Sequence, residues 1–555
     1  MKVQNSDVLE SVVHSLCASI DSPRSLSVWL CFKYNHAALL ELPMADIATR
    51  DSAAFAADYF ITSYLQKYKG LKTGIDCREV ALGKWKQSEV KCRETNARFR
   101  ELQLRPSTGR VEGALFRAQR KIASVLGPLH RSLALDGCKW GPGATFDLNR
   151  SSATPDAKMT RVISVTAQAL PFLRAVLESD PHWSSCFLDG EIPSGAFSFL
   201  PKYSPYRVVR GSRFLTVPKN AKTDRCIAAE PTGNSFLQQG VHSYMRRRLK
   251  RFGIDLDDQS INQKQAEKAY TSALSTLDLS AASDTITTGL IYHLLPIDWA
   301  IFLDSLRSHE TCVNGEWIRT EKFVSMGNAF CFELESLIFW ALASSVYEEG
   351  RECNVTVYGD DIIVDRDCYD SVVEILQFCG FSVNVDKSFK EGNFFESCGK
   401  HYHRGVDVTP AFQKEVVRHP SEFIRAHNRL LRLEYRLLGR EIFQAARKRL
   451  ANAYPLRPFP RIPYGVCDDG GFLRPLEDFS SDPNHGFSCR VLDYVTRFSG
   501  CHEGALYAYK LRRFSNLNPR KEGWAANPTL GKWRSRERRV PWHALASDWY
   551  LSTAQ

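Results

Sequence analysis

The sequence predicts an α+β protein, with an antiparallel sheet packed on helices and flanked by helical regions. Three observations lead there. Residues 1 to about 135 carry mainly helical patterning, as in Arg98 to Leu104 and Val111 to Leu126. From about Leu274 the pattern changes to strand, helix, strand. Ala273 to Leu279 reads as a short strand, Gly327 to Tyr347 as one long buried helix, and Asn354 to Asp365 as two strands meeting at a tight turn. Tyr369 to Phe378 reads as a further helix. After about residue 412 the chain is basic and helical again through Ser421 to Leu450, then breaks into the Pro- and Gly-rich Pro455 to Pro483 ahead of a basic tail.

The 555 residues are 44% hydrophobic and 24% charged, enough for a large core divided among roughly three or four domain-sized units. No apolar run is long enough to span a bilayer. The longest, Ser336 to Val346, is expected within a buried helix. Asp7 and Glu10 interrupt the N-terminus, so no secretory leader is expected and the reading is intracellular. Sixteen cysteines include no C-x-x-C pair and read as reduced thiols. Cys398, His401 and His403 come nearest to a metal cluster, but no second ligand pair accompanies them.

Net charge is +11. Between Pro201 and Arg251 twelve Lys or Arg face two acids; from Gly504 to Gln555 ten face three, interleaved with Trp524, Trp533, Trp542 and Trp549. A polyanion channel and a pair of solvated faces both fit that distribution.

The carboxylates narrow the choice. In Val355-Thr-Val-Tyr-Gly-Asp-Asp-Ile-Ile-Val364, β-branched residues lead into Gly359 and out again, which places Asp360 and Asp361 at a hairpin tip. Adjacent carboxylates repel unless a cation neutralises them, and hard oxygen donors suit Mg²⁺. Asp278, at the end of a strand, supplies a third, and Asp284 follows a small-residue turn. Phosphoryl transfer to a 3′-hydroxyl by two metals about 3.5–4 Å apart would need such a set. An ordinary Asp-rich turn is the alternative.

Lys219, Lys222 and Arg225, three apart, could clasp a triphosphate; a solvated loop paired to Asp224 and Glu230 is the competing reading. Gly327 permits close backbone approach, while Ser325 and Asn328 could read ribose hydroxyls or cap the following helix. Lys387 is a candidate acid for departing pyrophosphate, and the neighbouring Asp386 would raise its pKa.

These blocks resemble the replicase catalytic (beta) subunits of levivirus-type RNA bacteriophages, which are RNA-directed RNA polymerases. Tyr358-Gly-Asp-Asp361 is the hallmark. Val217 to Glu230, Gly253 to Gln263, Leu277 to Asp284, Ser325 to Phe339, Glu396 to Tyr402 and Gly405 to Pro410 carry the match across about 205 to 412. The resemblance implies a right-hand fold: an N-terminal region and fingers over 1–265, a palm over 266–412, and a thumb with the basic C-terminal region over 413–555. It implies two Mg²⁺ ions, with Mn²⁺ able to substitute, on Asp278, Asp360 and Asp361. Asp284, Ser325 and Asn328 would meet the ribose, with Gly327 beside them in the nucleotide site, and Lys219, Lys222 and Arg225 would meet the triphosphate.

Template RNA, ribonucleoside triphosphates, host elongation factors Tu and Ts and ribosomal protein S1 are the implied partners, in the cytoplasm of the bacterial host. Primer-independent initiation is implied too. Relatives usually carry Thr where Cys331 stands, Gly at Ala329 and Arg at Phe395, so Cys331 bears on how Asp284 is oriented. A reverse transcriptase would share the metal chemistry but place a bulky aromatic at Asp284. A non-catalytic RNA-binding protein would explain the basic clusters but not the three carboxylates.

Overall fold

The computed structural model describes residues 5–179, 206–498 and 526–551, apart from 35, 72, 106–108, 142, 161, 348–349, 352 and 439–440. The predicted α+β class holds. At its centre lies a three-stranded antiparallel sheet, with Asp361–Asp365 between Leu274–Leu277 and Thr356–Tyr358. Ile362 pairs with Leu277 on one side and Val357 on the other. Paired backbone bonds between Thr276 and Phe389, at 3.0 and 2.8 Å, extend its edge. Leu279–Ser280 then turns away to pair with Ser382–Val383. That bend at Asp278 brings the third aspartate beside the hairpin.

The helix behind this sheet, Cys331–Ser345, is buried on nearly every side, which its apolar composition requires. It is shorter than the predicted 327–347. Gly327 takes φ +116, and tight turns from Ser325 O to Asn328 N and from Asn328 O to Cys331 N precede the first α-helical turn. Arg110–Leu126, Thr232–Arg251, Thr288–Leu294, Ile297–Leu306 and Tyr369–Phe378 close the same core around it. The 28-residue helix Cys77–Leu104 starts where the Asp76 carboxylate accepts from Arg78 N and Glu79 N. It runs against the turn that carries Asp284.

Sequence patterning missed a four-stranded sheet in the order Asp224–Ala229, Ser212–Pro218, Glu310–Val313, Glu316–Arg319. Its strands are half-exposed and mix charge with apolar residues, which blurs the period-two signal.

The N-terminal helices pack on helices that follow the central sheet in sequence. Asn5–Ile20, Pro23–Tyr34 and Ser52–Ser63 share an apolar core with Pro420–Leu438 and Gln444–Asn452. The predicted helix over 421–450 is therefore two. Glu434 accepts from Phe443 N and pairs with Arg447, so one buried carboxylate anchors the start of the second helix. The basic tail is not a tail among the described residues: Ala526–Val540 pairs along Gly486–Phe498. Trp524 and residues 504 to 525 lie outside the described residues.

Asn428 ties the C-terminal unit together. Its Nδ2 donates to Asp469 Oδ1 and Gly471 O at 3.0 and 2.8 Å, and its Oδ1 accepts from Leu473 N at 3.0 Å. Asn428→Leu would strand a buried carbonyl and a buried N–H, at a cost of about 3 kcal/mol. A lowered urea midpoint is the expected result; an unchanged midpoint would show that the network contributes nothing.

Among the described residues, no helix is long and apolar enough to cross a membrane.

Candidate active site

Gly359 makes the turn possible. Its φ is +63, and an added Cβ would lie 2.6 Å from the Phe332 ring. Its N–H donates to Ser336 Oγ at 3.0 Å, which pins the hairpin tip to the buried helix. Gly359→Ala would combine backbone strain with a clash, costing about 1–3 kcal/mol. It should lower the unfolding midpoint and displace Asp360; a variant of unchanged stability would mean that the tip is loosely held.

Asp278, Asp360 and Asp361 are all half-buried. Asn384 Nδ2 donates to Asp278 Oδ2 at 2.6 Å, and Ser388 Oγ bonds the Asp278 backbone. Asn262 Nδ2 holds the Asp361 carbonyl at 3.0 Å. Burial, and next the adjacent Asp360, push the Asp361 carboxyl up to about 7. Burial also raises Asp278, to about 6; Lys387 opposes that rise and Asp360 adds to it. These carboxylates therefore lie in one another's field, and a cation would relieve the repulsion. Among the described residues no three His, Cys, Asp or Glu side chains already converge as a ligand cage. The donor set, all carboxylate oxygens, fits a hard divalent ion.

A fourth carboxylate stands behind them. Glu335 accepts from Ser283 Oγ at 2.6 Å and is raised to about 8, chiefly by burial, with Asp360 contributing. An acid inside an apolar helical run was the available sequence signal.

Asp284 is held by a residue the sequence reading passed over. Lys322, 1% exposed, donates to Asp284 Oδ1 at 2.7 Å, lies 3.6 Å from Glu89, and stands over the Trp85 ring at 5.0 Å. Glu89 also accepts from Glu321 N at 2.7 Å. Cys331 lies near Asp284, but its thiol is directed to Glu335, at 4.0 Å, and to Ser283. The orientation of Asp284 thus comes from Lys322.

Ser325 borders the same small cleft as Asp284 and Lys322. Gly327 allows the close backbone approach expected of it, to the strand at Ala228, whose N–H donates to Met326 O at 2.9 Å. Asn328 is buried, with its amide toward Glu230 at 3.5 Å, and does not cap the helix.

Lys219 and Lys222 occupy the turn between Ser212–Pro218 and Asp224–Ala229, and Arg225 the second strand. Among the described residues none of the three is ion-paired, and Glu230 bonds Ser308 instead. Lys219 lies in the field of Asp278 and Asp360. Much of the first basic cluster is structural: Arg246 pairs with Glu333 and Asp257, and Lys250 with Asp255.

Lys387 pairs with Glu396 at 2.7 Å, not with Asp386. Burial alone would lower its pKa, but Glu396, with Asp278 and Asp361 adding to it, more than offsets that and holds the ammonium above its ordinary value. His401 bonds the Tyr59 hydroxyl at 2.8 Å, and His403 bonds Ser52 at 2.9 Å while stacking on Phe55. Each ring is thus engaged in packing contacts.

Aspartates at adjoining strand ends, with the unpaired Lys219 in the field of two of them, make a site suited to a phosphorylated substrate. A sequence model of the family described as RNA replicase, beta-chain, matches residues 6–436, and the chain belongs to that family. It is 39% identical over 389 residues to the RNA-directed RNA polymerase subunit beta of Escherichia virus Qbeta, a match covering 68% of this chain and 62% of that protein. It is 36% identical over 412 residues to the RNA-directed RNA polymerase beta chain of Escherichia phage MS2, covering 73% and 72%. The chain thus spans less than two thirds of the length of the Qbeta subunit. A solved structure of the BmCPV RNA-dependent RNA polymerase at elongation state is similar at a TM-score of 0.40 and 12% identity, over 65% of this chain and 34% of that one. A likeness that slight adds nothing to the family assignment.

Proposed function

We propose that the chain is the catalytic subunit of an RNA phage replicase, which copies an RNA template from ribonucleoside triphosphates within the bacterial host. The observation that carries this reading is the placement of Asp278 beside the Asp360–Asp361 hairpin tip, inside the segment shared with the family. Asp278, Asp360 and Asp361 would hold two Mg²⁺ ions, or Mn²⁺, whose charge supplies activation of a 3′-hydroxyl and stabilisation of the leaving group. Lys219, Lys222 and Arg225 bind the triphosphate. Asp284, fixed by Lys322 through one oxygen, keeps the other for a ribose hydroxyl; Ser325 borders that cleft, and Gly327 and Asn328 shape the backbone beside it. Lys387 protonates departing pyrophosphate, with Glu396 keeping its proton in place. Initiation without a primer and service by host factors Tu, Ts and S1 belong to the same reading.

Incorporation of labelled ribonucleotides, compared with deoxyribonucleotides, on an RNA with a C-rich 3′ end tests it, with and without those host factors. Ribonucleotide incorporation that requires the template is the expected result. RNA binding without incorporation in either condition would leave a binding protein in its place.

A further inference from the structure

A cavity of about 530 Å³, a size that holds small-molecule ligands, lies outside the aspartate site. Phe146 and Leu148 give it an apolar wall, and Asp147, Lys158, Arg207 and Thr232 bring polar groups to it. None of the residues assigned to metal, ribose or triphosphate lines it. It sits at the far end of Ser212–Pro218 from the Lys219 turn. Arg213 Nη2 donates to Thr145 O there at 3.3 Å, and the strand from Arg213 to Lys219 spans roughly 20 Å.

Lys158 is the anomaly. It is 3% exposed, and its ammonium donates to Gly143 O at 2.6 Å and to Gly141 O. Those neutral carbonyls occupy two of its three N–H donors and supply no countercharge. Burial pushes its pKa down to about 8, and no neighbouring charge opposes that. The carboxylate on the cavity wall, Asp147, is engaged elsewhere: it pairs with Arg207 and accepts from Thr232 Oγ1 at 3.3 Å. The cavity therefore keeps the net charge of one buried ammonium, an arrangement that is costly until an anion enters.

The surroundings narrow the anion. Thr232 opens the 20-residue helix Thr232–Arg251, so the positive end of a helix dipole adds to the field of Lys158. Arg207, on a third segment, keeps guanidinium donors beyond its bond to Asp147. Donors on separate segments suit the several oxygens of a phosphate better than the two of a carboxylate. The Phe146 ring is steadied by stacking on Trp317, with centroids 6.4 Å apart and planes at 21°, which leaves a fixed apolar wall for the body that carries the phosphate.

We propose that this cavity binds a small organic phosphate, with its phosphate group against Lys158 and Arg207 and its body against Phe146 and Leu148. The inference does not depend on the polymerase reading. Free phosphate shares the charged group, and the test separates the two.

Equilibrium dialysis of the full chain with labelled adenosine 5′-monophosphate, and separately with labelled inorganic phosphate, compares wild type with Lys158→Met and Arg207→Gln. EDTA is present, so that no divalent ion loads the aspartates. Saturable binding of the nucleotide by wild type, tighter than that of inorganic phosphate and weakened about tenfold or more in both variants, is the expected result. Equal affinities for the two probes would overturn the organic ligand in favour of free phosphate. No saturable binding at millimolar concentrations, or affinities unchanged in the variants, would overturn the site. Should Lys158→Met fail to fold, the exposed Arg207→Gln decides. Displacement of the nucleotide by template RNA would overturn the proposal as well, by making the cavity part of an RNA path.

Discussion

Asp360→Asn is expected to lower RNA synthesis by about 10³-fold or more, the equivalent of ~4 kcal/mol of transition-state stabilisation. The substitution keeps the size of the side chain and removes the charge that a bound ion needs. Its effect on folding should have the opposite sign. Asp360 raises the pKa values of Asp361, Asp278 and Glu335, so removing it relieves repulsion at three neighbouring carboxyls. The metal-free variant should therefore unfold at or slightly above the wild-type temperature while RNA affinity is retained. Parallel thermal melts and incorporation assays check both halves; a variant that is inactive because it is unfolded would contradict the assignment.

Lys322→Met is expected to destabilise the protein by about 3–5 kcal/mol. Lys322 neutralises Asp284 and Glu89 where neither can reach bulk water freely. Methionine fills the space and leaves both carboxylates without a cation. Glu89 already sits above the ordinary carboxyl range, mainly through burial, and Lys322 is what restrains it. Without the lysine, the folded state holds a proton that the unfolded chain releases near its ordinary pKa. Stability then falls as pH rises, so the deficit is smaller near pH 5 and largest near pH 8. Urea titrations at those two pH values measure it, and a deficit independent of pH would show that packing alone was lost. Lys322→Arg keeps the charge, so it should recover much of the stability. Because Lys322 orients Asp284, its discrimination between ribo- and deoxyribonucleotides should still be weakened.

The central hairpin and the helix over Tyr369–Phe378 were legible because each repeats one period cleanly and ends at a turn residue. The three aspartates were legible from Gly359 and from strand endings. Other parts needed long-range contacts that no local pattern encodes. Lys322 resembles any lysine until it is seen buried between two acids from segments 38 and 233 residues before it. Asn384 was passed over for Lys387, three residues on, although Asn384 is what holds Asp278. Gln66, whose carbonyl accepts from Ala221 N, lies more than 150 residues from the turn it joins. The strand Ala526–Val540 was hidden because Lys532, Arg534, Arg536 and Arg538 alternate with Trp533, Ser535 and Glu537, so neither face reads as apolar.

The most direct test of the polymerase assignment is to supply the full chain with Mg²⁺, all four ribonucleotides and a heteropolymeric RNA of defined sequence, and to sequence the product. Asp360→Asn is run in parallel, and both proteins are assayed with and without host elongation factors. The account predicts RNA complementary to the template from the wild type and none from the variant. Equal synthesis by both proteins, or tight RNA binding with no synthesis by either under any condition, would contradict it.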